Sequence, residues 1–292
     1  MKIINFYKYR ISAFLFSFLL ILFSIFLFIK DNLNLGIDFK GGFLIEVNFP
    51  TPPNLSDLRE KLISISVGNV EIQEFGSPEN ILIRIEKNSE KKDEQNALIN
   101  NIKNELPSEI DYRRIEFVGP KVGKELQIMG IKAVLFSLIA MFAYIWFRFS
   151  GWQFGLGALV ALFHDVLSTI GFFSLTQIEF NLASIAAILT IAGYSINDTV
   201  VVFDRIRENL SKKESPFSEL LNLSINQTLS RTLMTSLTTL LALLALYIFG
   251  GEVVRGFVSA MMWGVVIGTY SSIFIASPLI ALLGFKIIKQ NQ

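Results

Sequence analysis

Six stretches of the chain are almost wholly apolar, and each is long enough to cross a hydrocarbon core of about 30 Å as a helix. They lie near 11–29, 131–149, 154–174, 182–203, 233–249 and 257–283. The first is longer than the apolar run of a cleavable signal, and Lys30, Asp31 and Asn32 after it form no small-residue cleavage pattern. The pattern therefore predicts an α-helical polytopic membrane protein with six transmembrane helices, the first of which is retained.

The segment between the first two spans has a pattern typical of a small folded domain. Four stretches alternate apolar and polar positions or are rich in strand-forming residues: 43–49, 70–75, 81–85 and 113–118. Helical spacing predicts helices over 55–65, behind Asn54 and Ser56 as candidate N-caps, and over about 89–106. The order β-α-β-β-α-β predicts an external α+β ferredoxin-like (split βαβ) domain, with both helices on one face of an antiparallel sheet.

Positive charge in the short connections sets the expected orientation. Arg10, Arg148, Arg205 and Lys286 all fall on one side of the predicted membrane, so both termini should be cytoplasmic. Three regions follow: a cytoplasmic N-terminus and first helix (1–30), an external, periplasmic domain (31–128), and a five-helix bundle (129–292) with a cytoplasmic loop at about 204–229. The expected location is the bacterial cytoplasmic (inner) membrane.

Composition narrows the function. The chain has 292 residues, 52% of them hydrophobic, with 27 Phe and a formal net charge of +1. This charge balance gives no global attraction to nucleic acid. The absence of Cys excludes disulfides and thiolate metal sites, and the single His164 leaves a transition-metal shell incomplete. Since the sequence has no phosphate-binding Walker loop either, we expect neither an ATPase nor a bound cofactor.

Asp198 is the most informative residue, because a carboxylate in an apolar span costs roughly 2.5–3.5 kcal/mol on insertion scales. Arg231 lies near the start of the fifth span, at comparable depth if the helices are antiparallel. A polar stripe of Thr228, Thr235 and Thr238 shares its helical face. The hypothesis is that Asp198 and Arg231 interact and that protonation of the acid switches this pair. In the structural alternatives, Asp198 only pairs within a polar interior and Arg231 only extends to the headgroups.

His164 and Asp165 form a second pair of ionisable residues, near the middle of the third span. Imidazole titrates near physiological pH, so the pair is a candidate proton relay. A buried hydrogen-bonded pair that fixes helix packing is an equal alternative.

Gly36, Gly41 and Gly42 lie where the chain passes from the first span into a strand. Glycine there predicts either a tight turn or a hinge between the anchor and the external domain.

Several motifs resemble those of the SecF family, the smaller of two paired subunits that assist bacterial protein export. They are Leu35–Gly42 (LGIDFKGG), 118–123 (VGPKVG), 194–209 (YSINDTVVVFDRIREN), 226–232 (NQTLSRT) and 250–257 (GGEVVRGF). The resemblance implies pairing with SecD, association with the SecY, SecE and SecG channel, and contact with a translocating preprotein. It also implies that protons, the coupling ion, flow inward and drive movement of the external domains.

Two other functions stay open on the residues alone. A proton-coupled half-permease that exports a small apolar molecule would also need an intramembrane acid. A non-transporting channel scaffold would not, so the cost of Asp198 argues against it.

Overall fold

The structure is a computed structural model that describes residues 4–65, 69–86, 92–107, 109–149, 151–212 and 215–283. It comprises two compact units. The helical unit contains Met1–Asn34, Lys132–Ile178 and Ala183–Gln292, and the α+β unit contains Leu35–Ile131 together with Glu179–Leu182. The short segment Glu179–Leu182 thus belongs to the α+β unit although it lies between two long helices in the sequence.

Ten α-helices lie within the described residues. They are α1 (Arg10–Asp31), α2 (Ile37–Lys40), α3 (Leu55–Ile65), α4 (Lys92–Glu105), α5 (Pro120–Phe149), α6 (Trp152–Thr176), α7 (Leu182–Lys212), α8 (Phe217–Phe249), α9 (Glu252–Ser271) and α10 (Ser277–Leu282). Six helical segments are long and apolar enough to cross a membrane: Phe6–Asp31, α5, α6, α7, α8 and Glu252–Leu282. The predicted six spans are confirmed in number and place. Each helix is longer than its apolar run, because polar residues extend it at one or both ends.

The α+β unit contains a four-stranded antiparallel sheet with the order β2-β3-β1-β4. Its strands are β1 (Gly42–Asn48), β2 (Asn69–Phe75), β3 (Ser77–Glu86) and β4 (Asp111–Val118). This order is that of the predicted ferredoxin-like (split βαβ) fold. Asn54 caps α3, since its Oδ1 accepts a hydrogen bond from the Ser56 amide at 3.0 Å. The predicted start of α4 at residues 89–91 lies outside the described residues.

One face of the sheet packs against α3 and α4. Phe43, Ile45 and Val47 of β1 are almost completely buried there, as the alternation predicts. Leu62 of α3 and Ile102 of α4 are also fully buried against them. This apolar layer is the core of the α+β unit and holds both its helices.

The core of the helical unit is rich in aromatic side chains. Phe149, Phe154 and Phe203, from α5, α6 and α7, pack with ring centroids 5.1–5.8 Å apart. Ile206 and Leu221 extend this core and are fully buried. The packing thus continues along α7 and α8 beyond the residues predicted to span the membrane.

The predicted loop at about 204–229 is mostly helical. α7 continues to Lys212, and α8 begins at Phe217. The charged residues favoured a loop assignment. However, Ile206, Leu221 and Ile225 form an apolar face on these helical turns, and this face is buried. The connection between α7 and α8 is therefore short.

The last span contains a π-helical segment, Ser272–Ala276, between α9 and α10. The hydroxyl of Ser277 donates a hydrogen bond to the Ser272 carbonyl, five residues earlier, at 2.7 Å. Pro278 follows in the first turn of α10 and has no amide hydrogen to donate. The Ser277 hydroxyl thus adds a side-chain hydrogen bond across the wide turn.

Candidate functional site

Asp198 lies on the buried face of α7, with only 2% of its surface exposed. Its neighbours in the helix include Ser195, Thr199 and Val202, which are also buried. Asp198 Oδ2 has no hydrogen-bond partner among the described residues. Burying a carboxylate oxygen without a hydrogen-bond partner is costly, and this cost makes Asp198 the candidate for a functional role.

Arg231 and Thr235, both on α8, interact with the Asp198 carboxyl group, Arg231 through its charge and Thr235 through a side-chain hydrogen bond. Arg231 is exposed in the isolated chain and Thr235 is half-buried. No ion pair within 4.0 Å joins Arg231 to Asp198 in the part of the chain that the structure describes. The structure therefore brings the two predicted residues into electrostatic range without direct contact.

The predicted stripe on α8 divides between two environments. Thr228 is buried, and its hydroxyl donates to the Ser224 carbonyl of its own helix at 3.0 Å. Thr238 is exposed and also donates to its own helix. The buried polar row of α8 is instead spaced by four residues: Ser224, Thr228, Thr232 and Ser236. Sequence reasoning missed three of these, although their spacing is visible in the sequence.

Ser236 connects the buried row of α8 to two other helices. Its hydroxyl lies 2.6 Å from that of Thr269 on α9 and 3.4 Å from that of Tyr194 on α7. A change at the α7–α8 contact therefore reaches α9 through side-chain hydrogen bonds as well as through packing.

Asp165, on α6, is completely buried and has hydrogen-bond partners on both oxygens. Ser195 of α7 and Ser271 of α9 donate to its Oδ2 at 2.6 and 2.8 Å. His164 Nδ1 lies 3.0 Å from its Oδ1. The carboxylate thus joins three helices. Ser195, although it lies in the motif at residues 194–209, and Ser271 were missed as partners of Asp165 because both are distant from it in sequence.

His164 is also buried, and its Nε2 has no hydrogen-bond partner among the described residues. Its ring centroid lies 6.2 Å from that of Tyr270 on α9. Tyr270 in turn donates to the Ala13 carbonyl of α1 at 2.8 Å. The predicted pair of His164 and Asp165 is therefore formed, and it lies between α1, α6, α7 and α9.

The two acids differ in their surroundings. Ser195 and Ser271 donate hydrogen bonds to one oxygen of Asp165, and His164 Nδ1 lies beside the other oxygen. Ser195 lies three residues before Asp198 on α7, which corresponds to about 4.5 Å along the axis. One face of α7 thus carries Ser195, which is hydrogen-bonded to Asp165, and, about one turn away, Asp198, whose Oδ2 has no partner among the described residues. Within the described ranges, no group of three or more His, Asp or Glu side chains is placed to hold a metal ion.

The three glycines near the start of β1 lie at the two ends of the one-turn helix α2 and are closely packed. Gly41 and Gly42 have φ values of +78° and +117°, in the region that favours glycine. A Cβ at Gly42 would clash with the carbonyl of Ile85, and one at Gly36 would clash with the Glu179 side chain. These contacts support the predicted turn over the hinge.

The sequence resembles known proteins over nearly its whole length. Residues 98–286 match the family described as "Protein export membrane protein SecD/SecF, C-terminal". A "Protein translocase subunit SecF" of Rickettsia bellii is 45% identical over 285 residues, which cover 97% of this chain and 94% of the relative. One of the same name from Rickettsia prowazekii is 44% identical over 281 residues, 95% of this chain and 90% of the relative.

Two solved structures have the same fold. The crystal structure of SecDF from Thermus thermophilus, described as a translocon-associated membrane protein, matches with a TM-score of 0.84 and 37% identity over 96% of this chain. SecDF in a super-membrane-facing form matches with a TM-score of 0.70 and 35% identity over 97%. The match covers only 38% and 39% of those longer chains. The matching family model, the near full-length relatives and the six membrane-length helices agree, and this multi-pass membrane protein belongs to the SecD/SecF family of protein-export membrane proteins.

Proposed function

We propose that the chain is an auxiliary subunit of the Sec protein-export machinery, and that it uses the proton motive force to promote preprotein translocation. Its relatives are named protein translocase subunits, and SecDF is described as translocon-associated. SecD is the proposed direct partner, because the matched structures are named SecDF and the match to this chain covers only 38% and 39% of their length. The SecY, SecE and SecG channel and the preprotein are the proposed wider assembly.

The proposed location is the cytoplasmic (inner) membrane, with both termini in the cytoplasm and the α+β unit outside. Positive residues such as Arg148, Arg205 and Arg207 lie at one end of the membrane-length helices, where the positive-inside rule places the cytoplasm. On this orientation, protons enter from the side of the α+β unit.

Asp198 is the proposed proton-carrying group, and its environment is the observation on which the mechanism depends. The carboxyl group is 2% exposed, Oδ2 has no partner among the described residues, and Arg231 acts on it through its charge alone. Protonation would remove the attraction to Arg231, and deprotonation would restore it. Such a change biases the packing of α7 against α8, which is the two-state element that a gradient needs.

The available driving force is adequate for such a switch. Moving one charge across the membrane potential yields about 2.3 kcal/mol per 100 mV. This energy changes a two-state equilibrium about fiftyfold, since about 1.4 kcal/mol corresponds to a factor of ten.

We propose a different role for Asp165. Its hydrogen bonds to Ser195 and Ser271 and its contact with His164 would tie α6, α7 and α9 together while α7 responds to Asp198. His164 would support this tie by orienting the carboxylate. The relay alternative predicts that Asp165 exchanges protons with Asp198 through Ser195.

The decisive experiment compares Asp198→Asn with Asp198→Glu in inverted membrane vesicles that export a preprotein with or without a proton gradient. Asp198→Asn should abolish the stimulation by the gradient, and Asp198→Glu should keep part of it, because it retains a titratable carboxyl group. Full stimulation in Asp198→Asn would contradict the proposed mechanism. Depletion of the protein in cells distinguishes the export function from the half-permease alternative. If the protein assists export, precursors of secreted proteins should accumulate in the cytoplasm, whereas depletion of a half-permease would leave secretion intact.

A further inference from the structure

The segment Glu179–Leu182, which we call the α7 anchor, connects α6 to α7 and packs as part of the α+β unit. Its last residue, Leu182, is also the first residue of α7. Asp198 lies 16 residues further along the same helix, at about 24 Å for a rise of 1.5 Å per residue. The helix with the proposed proton-carrying acid therefore begins inside the α+β unit.

The anchor is attached to the motif at residues 35–42 through its backbone. Leu35 and Phe180 form an isolated parallel β-bridge, and the Gly36 amide donates to the Phe180 carbonyl at 2.9 Å. The Phe180 ring packs on Phe39, with centroids 5.8 Å apart. Leu35 and Phe39 belong to the motif at residues 35–42, and the sequence analysis assigned them no individual role.

Asp38 holds the first turn of α7. Its Oδ2 accepts a hydrogen bond from the Leu182 amide at 2.9 Å. This amide is one of the donors that a helix N-terminus leaves unpaired, and a carboxylate there also interacts favourably with the helix dipole. Asp38 therefore acts on α7 from a distant part of the sequence.

Arg84, in the centre of the sheet, attaches the other end of the anchor. This guanidinium is only 7% exposed and forms an ion pair with Glu179. It also lies 3.6 Å from Glu71 on β2. Arg84 belongs to β3, which pairs with both β1 and β2, so a pull on Glu179 would act on an inner strand rather than a sheet edge.

We propose that the Asp38–Leu182 hydrogen bond and the Arg84–Glu179 ion pair are a permanent mechanical link that passes displacements of α7 to the α+β unit. This inference rests on the proposed function, because the displacement originates at Asp198. Asp38 and Glu179 are positioning residues: neither touches the proton-carrying group. The link stays closed throughout the cycle.

The first test measures the link without any gradient. Amide hydrogen exchange at Leu182 in the full-length protein should accelerate about fivefold in Asp38→Ala, as expected for the loss of a hydrogen bond worth about 1 kcal/mol. Asp38→Asn is the matched control, since its amide oxygen still accepts from Leu182, and it should exchange at nearly the wild-type rate. Equal exchange in Asp38→Ala and wild type would overturn the assignment.

The second test measures coupling in the export vesicles. The double variant Asp38→Ala with Glu179→Ala should lose the stimulation by the gradient, while the infrared carboxyl band of Asp198 keeps its wild-type pH dependence. A variant that keeps full stimulation would overturn the inference. Failure of the proposed function has a different signature, because Asp198→Asn would then export normally while the exchange result at Leu182 is unaffected.

A cysteine pair supplies a test that does not depend on weakened variants. The chain has no Cys, so Leu35→Cys with Phe180→Cys introduces the only two thiols. Residues paired across a β-bridge lie about 4.8 Å apart, within the range of about 4.4–6.8 Å that a disulfide accepts. Oxidation of this cysteine pair should leave export intact in the otherwise wild-type chain. In the chain that also carries Asp38→Ala and Glu179→Ala, oxidation should restore the stimulation of export by the gradient. Inhibition by the disulfide would mean that the anchor must open, which contradicts the proposal.

Discussion

Ser195 of α7 donates a hydrogen bond of 2.6 Å to Asp165 of α6, and both residues are at most 1% exposed. Ser271 of α9 donates to the same oxygen at 2.8 Å. Replacing a buried carboxylate that accepts several hydrogen bonds leaves its donors without a partner and lowers the free energy of unfolding. This junction should therefore contribute to stability independently of proton coupling.

Replacement of Asp165 by Asn should lower the free energy of unfolding by about 1–3 kcal/mol, since the amide leaves at least one buried group without its charged partner. Thermal unfolding of the purified protein in detergent would measure the loss. Thr190→Ala is a suitable control on α7, because the Thr190 hydroxyl is exposed and bonds only to its own helix; it should change stability by less than about 0.5 kcal/mol. Unchanged stability in Asp165→Asn would argue against the proposed tie and favour the relay.

Arg231→Lys should retain most of the stimulation by the gradient, whereas Arg231→Leu should lose it. Arg231 acts on Asp198 without an ion pair within 4.0 Å among the described residues, so its charge matters more than bidentate geometry. Infrared titration of the Asp198 carboxyl band provides the measurement. Arg231→Leu should change the pH at which the band appears. An unchanged titration would show that Arg231 only extends to the headgroups.

Gly42→Ala should destabilise the α+β unit by more than about 1 kcal/mol, because it combines a positive φ with a clash against the Ile85 carbonyl. Limited proteolysis of the full-length protein would detect the loss as faster cleavage in the sheet. Gly119→Ala is the matched control: its Cβ would meet nothing closer than Phe117, at 4.0 Å. Equal protection of the two variants would restore the hinge interpretation.

Tyr112, on β4, should titrate above the ordinary tyrosine pKa of about 10, because burial raises the pKa of its phenol. The phenol oxygen is buried without a hydrogen-bond partner among the described residues. Above pH 10 the unfolded state then loses its proton first, so the stability contributed by this residue falls as pH rises through about 10. The ultraviolet difference spectrum between wild type and Tyr112→Phe measures this titration. A midpoint at or below 10 in the folded protein would contradict the prediction.

The secondary structure was predictable because its signals are local. Alternation in β1 and β3 and long apolar runs in α5 to α9 depend on neighbours within one or two turns. Asp198 and Arg231 could be singled out from the sequence because an ionisable residue in an apolar span is conspicuous on its own. Their direct interaction stays a prediction. Residues 204–229 were wrongly assigned to a loop, because the assignment followed their many charged residues and overlooked the apolar face that includes Leu221, which is buried.

The junction at Asp165 and the contacts of the α7 anchor could not be predicted from the sequence, for a different reason. Ser271 is 106 residues from Asp165, and Leu182 is 144 residues from Asp38. Serine, glycine and a backbone amide have no periodicity that points to a distant partner. Such contacts depend on which helices become neighbours, and local patterns do not contain this information.

The π-helical segment Ser272–Ala276 determines the direction in which the side chains of α10 point around the helix axis. An α-helix advances about 100° per residue, so a wide turn that absorbs one extra residue displaces the following side chains around the axis by about that angle. Ser271 can therefore point at Asp165 while Ile280, beyond the wide turn, is still fully buried. Deleting a single residue here would restore a regular helix, and it would turn either the serine or the aliphatic side chain away from its present neighbours.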